Sequence, residues 1–315
     1  MPGTSEYLVQ LQAELTAMRR LQISGTSKPH KLLMLLAVLD LFDSGEITTN
    51  RIYYDPGLAE RFSAYFRAIA SPGDWCQPGP PFFHLKSAGF WRHKPLPGRE
   101  GSYDSLRTSG GGTKRIVDNI EYAYLSEHAY SVFADTEQRA QLRKFIIETF
   151  FSEEQQVNLW KVVAEQSRVS GYEAGINSGG RVLREETASE VRNAAFSRAV
   201  RRAYDYRCAM CGLRIIGPDG ATSVDAAHLI PWSISRDDTI GNGVALCKLH
   251  HWALDAGMVS PAPGYVWTVS PLLDRRRNSE KELTRFHRRR ILLPIEEAHW
   301  PRMDAINWRL ERLAR

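Results

Sequence analysis

Cys208-Ala-Met-Cys211 opens a stretch that continues through Asp225-Ala-Ala-His228-Leu-Ile-Pro-Trp232 and Gly241-Asn242-Gly243 to Cys247-Lys-Leu-His250-His251-Trp252. It contains two C-x2-C/H pairs separated by 35 residues. Three thiolates and one imidazole at such a spacing can close a tetrahedral zinc site. Protein ligands would fill all four positions, so Cys208, Cys211, Cys247 and His250 are read as holding a structural Zn2+. Such an ion pins together a small unit that builds little core of its own. The plainer reading is a set of buried free cysteines that happen to fall in pairs, and two pairs in register argue against it.

Inside this knot, His228, Asn242 and His251 follow one another in an order that resembles the HNH nucleases of the ββα-metal fold, over about residues 192–260. The resemblance implies phosphodiester hydrolysis. His228, at a strand end, is then the general base for water, because imidazole titrates near neutrality. His251, on the following helix, is a ligand to a catalytic divalent ion (Mg2+, Mn2+ or another) that stabilises developing charge. Asn242 braces the loop and orients the base. Many relatives carry His or Asp immediately before the base; Ala227 stands there in this chain. Asp225 is the nearest acid, either a shifted metal ligand or a structural residue. His250 and His251 point about 100° apart on a helix, so one can face the zinc and the other a cleft.

The chain around this stretch has 315 residues, 43% hydrophobic and 24% charged, with a formal net charge of +5. One core rarely serves more than about 250–300 residues, so two domains are expected. The balance is that of a globular protein rather than a disordered one. No apolar run approaches the roughly 18 residues of a membrane span. The N-terminus lacks a basic segment followed by an apolar core, so the expected location is the bacterial cytoplasm or nucleoid and no membrane partner is expected. Three basic clusters stand out. Residues 86–115 hold seven basic and two acidic residues, residues 192–214 six and one, and residues 275–290 eight and two. They suit a polyanion such as DNA, although each alone can equally be a solvated face.

Residues 167–180 (SRVSGYEAGINSGG) are rich in Gly and Ser and lack a hydrophobic period, so they read as linker. Before them, helical spacing is read over residues 5–22, 56–70 and 135–151. Residues 31–42 (KLLMLLAVLDLF) are apolar almost all round, as a buried central helix would be. Residues 71–115 are rich in Pro, Gly and aromatic residues and are expected to form loops and short strands. After the linker, residues 186–204 read as a helix.

Within residues 71–115, Gly79-Pro-Pro-Phe-Phe-His84 offers a ring-stiffened apolar surface, and Trp91-Arg-His-Lys94 a basic aromatic strip. Lys28-Pro-His-Lys31 adds a basic point at a helix start. A His-Lys pair opening a very apolar helix, a Pro-Phe segment, a Gly-aromatic step and an HNH domain after a linker together resemble phosphorothioate-dependent restriction endonucleases of the McrA-like class. Their N-terminal module is a sulfur-binding domain, and the resemblance covers about residues 5–165. It implies an apolar dent for the soft, weakly hydrogen-bonding sulfur, with Pro81 as the sulfur contact and Pro80, Phe82 and His84 around it. Pro80 stands where an aromatic is expected. Lys31, Arg92, His93 and Lys94 are candidates for phosphate or base contacts, as is Arg107 beside the loop at residues 109–115, where glycine permits close approach.

The resulting expectation is an α+β chain. An α-rich DNA-reading domain (residues 1–165) is joined by a linker (166–185) to a zinc-stabilised ββα-metal domain (186–315). Its function would be cleavage of phosphorothioated double-stranded DNA by a type IV restriction enzyme. Two alternatives stay open: an HNH enzyme reading a modified base such as methylcytosine, and a non-catalytic zinc-stabilised DNA-binding protein. One centre cuts one strand, so a double-strand break needs two nicks or a homodimer. Residues 275–290 and 299–315 could serve either DNA or a dimer. Cys76 is left as a free thiol.

Overall fold

The structure, a computed structural model, describes residues 4–18, 22–23, 26–71, 73–106, 112–177, 189–274 and 276–315. The chain divides into two compact units. The first is Met1–Ser167 with Gly217–Ala221, and the second is Arg168–Ile216 with Thr222–Arg315. No described helix is long and apolar enough to cross a membrane.

The first unit runs α1 (Thr4–Ala17), a short pair β1 (Gln22–Ile23) and β2 (Thr26–Ser27), α2 (His30–Asp43), α3 (Pro56–Ile69), α4 (Gly79–His84), β3 (Trp91–Pro95), α5 (Glu100–Asp104), α6 (Gly112–Asn119), β4 (Ile120–Leu125), α7 (Glu127–Ala134), α8 (Thr136–Phe150) and the start of α9 (Glu153–Asn177). As its composition predicts, α2 is the central helix. Every residue from Leu32 to Phe42 is buried, and α3, α4, α7 and α8 pack around it. Each of its leucines contributes about 1.5–3 kcal/mol by leaving water. Its one buried acid, Asp40, accepts from the Tyr65 hydroxyl at 2.8 Å and from Arg143 at 2.9 Å. Burial still pushes its carboxyl up to about 6. Caps mark two of the expected helix starts. Asp55 accepts from Leu58 N at 2.8 Å and Asp135 from Gln138 N at 2.9 Å, satisfying amides that the helix itself leaves open.

Residues 71–115 differ from expectation. Among the described residues there, only Trp91–Pro95 is a strand, and the rest of the regular structure is short helices. Gly79-Pro-Pro opens α4 because proline lacks only the amide that a first turn leaves unpaired. The turn continues as 3-10 helix and stops at Gly89, whose φ of 82° suits glycine.

Helix α9 differs as well. It runs unbroken to Asn177, so residues 167–177 are helix rather than the first half of a linker, and the division between units falls inside it. The signal was misread because glycine and serine at 170, 171 and 175 mask a stripe of Val169, Tyr172 and Ile176, which are all buried. Residues 178–188, which include the rest of the expected linker (178–185) and the start of the helix expected from residue 186, lie outside the described residues.

The second unit continues with α10 (Ser189–Ala203), β5 (Val224–His228), α11 (Trp232–Ser235), β6 (Gly243–Cys247), α12 (Lys248–Asp255), β7 (Val259–Ala262), β8 (Val266–Val269), α13 (Lys281–Thr284) and α14 (Met303–Leu310). Strands β5 and β6 pair antiparallel, from Val224↔Cys247 to His228↔Gly243. Both α10 and α12 pack on this hairpin. Helix α14 packs on β7 and buries Ala305, Ile306 and Arg309. One face of the C-terminal stretch is therefore core and not free for a partner.

Candidate active site and metal centre

The hairpin β5–β6 brings the two ends of the cysteine pattern together. Ala209 N donates to Ala245 O at 2.8 Å, fastening the turn at residues 208–211 to β6. Cys247 ends β6 and caps α12, so His250 lies in the first turn. The four donor atoms of Cys208, Cys211, Cys247 and His250 lie within 4.8 Å of one another. His250 Nδ1 is 3.3 Å from Cys208 Sγ and 3.2 Å from Cys247 Sγ. The edges of a tetrahedron with zinc–ligand bonds of about 2.0–2.3 Å are of similar length. His250 Nε2 faces Glu282 O at 3.4 Å. A carbonyl partner there fixes the proton on Nε2 and leaves Nδ1 for a metal. Contact with Cys208 pushes Cys247 up to about 11 and burial raises Cys211, so these two thiols favour their protons, whereas contact with Cys247 lowers Cys208. Zn2+ suits this donor set and would release those protons on binding.

The remaining candidates divide between the two faces of β5, because side chains three apart on a strand point to opposite sides. Asp225 pairs with Lys248 and stands 3.9 Å from His251 Nδ1. His251 Nε2 lies 3.4 Å from Asp255, one turn on. The two carboxylates face different ring nitrogens, so a divalent ion on Nδ1 would be shared with Asp225 and not with Asp255. The three donors do not converge as the zinc set does. Among the described residues, Cys208, Cys211, Cys247 and His250 are the one group of three or more His, Cys, Asp or Glu that does so.

On the other face, the His228 ring lies flat on Phe196 of α10, with centroids 3.7 Å apart and planes 8° apart. Gly243, opposite His228, allows this approach. A Cβ there would sit 2.5 Å from Val200 and 2.9 Å from Phe196. His228 Nε2 meets Asp238 Oδ1 at 2.7 Å. Asn242 is fully buried and clamps the loop after His228. Its Oδ1 accepts from Ile230 N, and its Nδ2 donates to Ile230 O and to Asp237 O, each at 2.9 Å. Sequence reading missed Arg309, whose Nη2 donates to His228 O at 2.7 Å and faces Asp255 at 3.7 Å. No spacing marks a single arginine in an amphipathic C-terminal helix. Asp238 was missed too, as was Tyr172, whose hydroxyl donates to Asp238 Oδ2 at 2.9 Å and which falls in the supposed linker.

In the first unit, Lys31 donates to Ser87 at 2.9 Å. His84 carries a lowered pKa, from burial first and then from Lys31 and Lys86. These four residues therefore converge beside α4. Pro81, the expected sulfur contact, is buried, whereas Pro80 is partly exposed. Phe82 is fully buried. It packs edge-on against Trp91, so it supports this surface and does not form it.

Strand β3 alternates buried and exposed. Arg92 and Lys94 face out, across from Tyr124 and Tyr122. His93 faces in, where it meets Trp91 Nε1 and Tyr103 OH at 3.1 Å each and stacks on Phe82 and Phe83. Burial pushes its pKa down to about 4, so the ring is neutral. It is a core histidine and not the phosphate contact expected from sequence. Arg107 lies outside the described residues. Cys76 is free, 3.1 Å from Ser63 Oγ.

Residues 208–260 match the family model described as HNH endonuclease. A solved structure, a modification-dependent TagI restriction endonuclease, is 18% identical over 44% of this chain, with a TM-score of 0.30. The match spans 43% of that chain, and a score at that level establishes no common fold. No curated protein matches the chain.

Proposed function

We propose that this chain, which carries an HNH endonuclease domain at residues 208–260, is a modification-dependent DNA endonuclease that reads phosphorothioated double-stranded DNA through residues 1–165 and cuts nearby through residues 186–315. The observation that carries the nuclease reading is the family match, joined to a buried Asn242 that clamps the loop following His228. His228 ends its strand with Nε2 engaged, leaving Nδ1 to take a proton from water. Arg309 holds the His228 carbonyl, and Asn242 holds the next turn of chain. His251, through Nδ1, and Asp225 would hold the catalytic ion, Mg2+, Mn2+ or another divalent. Such an ion neutralises charge building on the scissile phosphate. The Cys208, Cys211, Cys247 and His250 set would hold Zn2+ as a structural ion.

The sulfur reading is supported by a partly exposed proline, Pro80, one helical turn before His84 on α4, with the cations Lys31 and Lys86 near His84. A phosphorothioate sulfur is larger and softer than oxygen and accepts hydrogen bonds poorly. It gains from an apolar neighbour while its negative charge gains from the cations. Arg92 and Lys94 would contact the flanking backbone. Restriction of foreign modified DNA in the bacterial cytoplasm or nucleoid is the role this implies, with a homodimer or two sequential nicks for a double-strand break.

The test is cleavage by the full chain, with Zn2+ bound and Mg2+ or Mn2+ added, of one plasmid prepared with and without phosphorothioate linkages. At least about tenfold faster cutting of the modified plasmid is expected. Equal rates would remove modification dependence, and faster cutting of a methylcytosine-bearing plasmid would favour base reading.

A further inference from the structure

Asp238 is the buried carboxylate that the catalytic scheme leaves without a task. It follows Asp237, whose own work is local. Asp237 accepts from Thr239 N at 2.9 Å and pairs with Arg302 at 2.8 Å, pinning the loop to the residue before α14. Asp238 points the other way, with its side chain 2% exposed. Its Oδ1 meets His228 Nε2 at 2.7 Å, and its Oδ2 accepts from the Tyr172 hydroxyl at 2.9 Å and faces Arg192 Nε at 3.3 Å. The Arg192 guanidinium is itself seated on the Trp232 ring, 3.5 Å from its centroid. Helices α9 and α10 thus hold this carboxylate from behind while it addresses the histidine.

We propose that Asp238 is the positioning residue of the nuclease: it accepts the Nε2 proton of His228, so that the neutral ring carries its free lone pair on Nδ1. The inference rests on reading His228 as the general base. Two contacts fix the ring. Phe196 sets its plane, because a parallel partner 3.7 Å away leaves no room to tilt. Asp238 sets its orientation within that plane, because a flipped ring would turn carbon toward a buried carboxylate and leave Oδ1 unpaired. Neutral imidazole has two tautomers, and only the one with Nδ1 free can take a proton there. Tyr172 and Arg192 complete the device by fixing the rotamer of Asp238, so the proton-accepting nitrogen is specified two residues deep.

The experiment uses the full chain with Zn2+ bound and histidine nitrogens labelled. The His228 signal is assigned by its loss in His228→Ala. The neutral wild-type ring is expected to carry its proton on Nε2. In Asp238→Asn the amide can present N–H to the ring, and the tautomer should shift toward Nδ1–H while cleavage falls about 10²–10⁴-fold. Asp238→Glu should recover part of both, and Tyr172→Phe should lower the rate by less. A merely structural Asp238 would alter melting and leave the tautomer as it was. An unchanged tautomer and rate in a folded Asp238→Asn protein overturns the proposal. If that variant fails to fold, a wild-type ring protonated on Nδ1 overturns it instead. The underlying reading fails separately: His228→Ala cutting at the wild-type rate removes the base, whatever the tautomer of the ring.

Discussion

Replacing His228 by alanine is expected to lower cleavage by about 10²–10⁴-fold or more, the usual contribution of a positioned general base, while DNA affinity stays within about twofold. The barrier rises by about 3–5 kcal/mol on that scale. Affinity holds because the substitution removes no cation, and phosphate contacts dominate DNA binding. The alanine protein also loses the stack on Phe196 and leaves the buried Asp238 without its imidazole partner. A second variant, His228→Gln, restores an N–H donor for Asp238 without a base of suitable pKa. Both proteins should be inactive, and the glutamine form should melt closer to wild type. Rates measured after metal depletion and repletion with Mg2+ or Mn2+ decide the matter. A glutamine protein that cuts at the wild-type rate would show that another group activates water.

Emptying the Cys208, Cys211, Cys247 and His250 set, proposed to hold a structural Zn2+, should have the second large effect. Apparent zinc-binding energies of about 10–16 kcal/mol in small zinc modules match or exceed the 5–15 kcal/mol stability of a whole domain. Here the four donors tie the turn at residues 208–211 to β6 and the first turn of α12. Cys247→Ser, or chelation of the wild-type protein, should therefore abolish the melting transition of the second unit and all cleavage. The core around α2 has no residue in the zinc set, so the first unit's transition should remain. Elemental analysis should find about one zinc per chain before chelation. After chelation, Zn2+ followed by Mg2+ should restore cutting, and Mg2+ alone should not. A zinc-free protein with both transitions intact would contradict the assignment.

The two regions were legible to different degrees. The convergence of Cys208, Cys211, Cys247 and His250 was legible from spacing because pairs separated by two residues share a turn. Helix α2 was legible because a run with no polar face has only one place to go. The Gly-Ser segment misled because composition outweighed the sparse apolar stripe of Val169, Tyr172 and Ile176, and it concealed Tyr172's part in the site. His93 misled because a basic strip was inferred without the strand's alternation, which turns Arg92 and Lys94 outward and His93 inward. Asp238 and Arg309 act through tertiary contacts across 10 and 81 residues. Periodicity carries no record of contacts at that range.

The most direct measurement of the central claim holds chemistry aside. Full-length His228→Gln protein with Zn2+ bound is titrated, at one fixed salt concentration, against two duplexes of identical sequence, one bearing a phosphorothioate linkage and one not. Binding to the modified duplex is expected to be at least about tenfold tighter, with the preference reduced by Pro80→Gly or Lys31→Ala. Equal affinity for the two duplexes would contradict it.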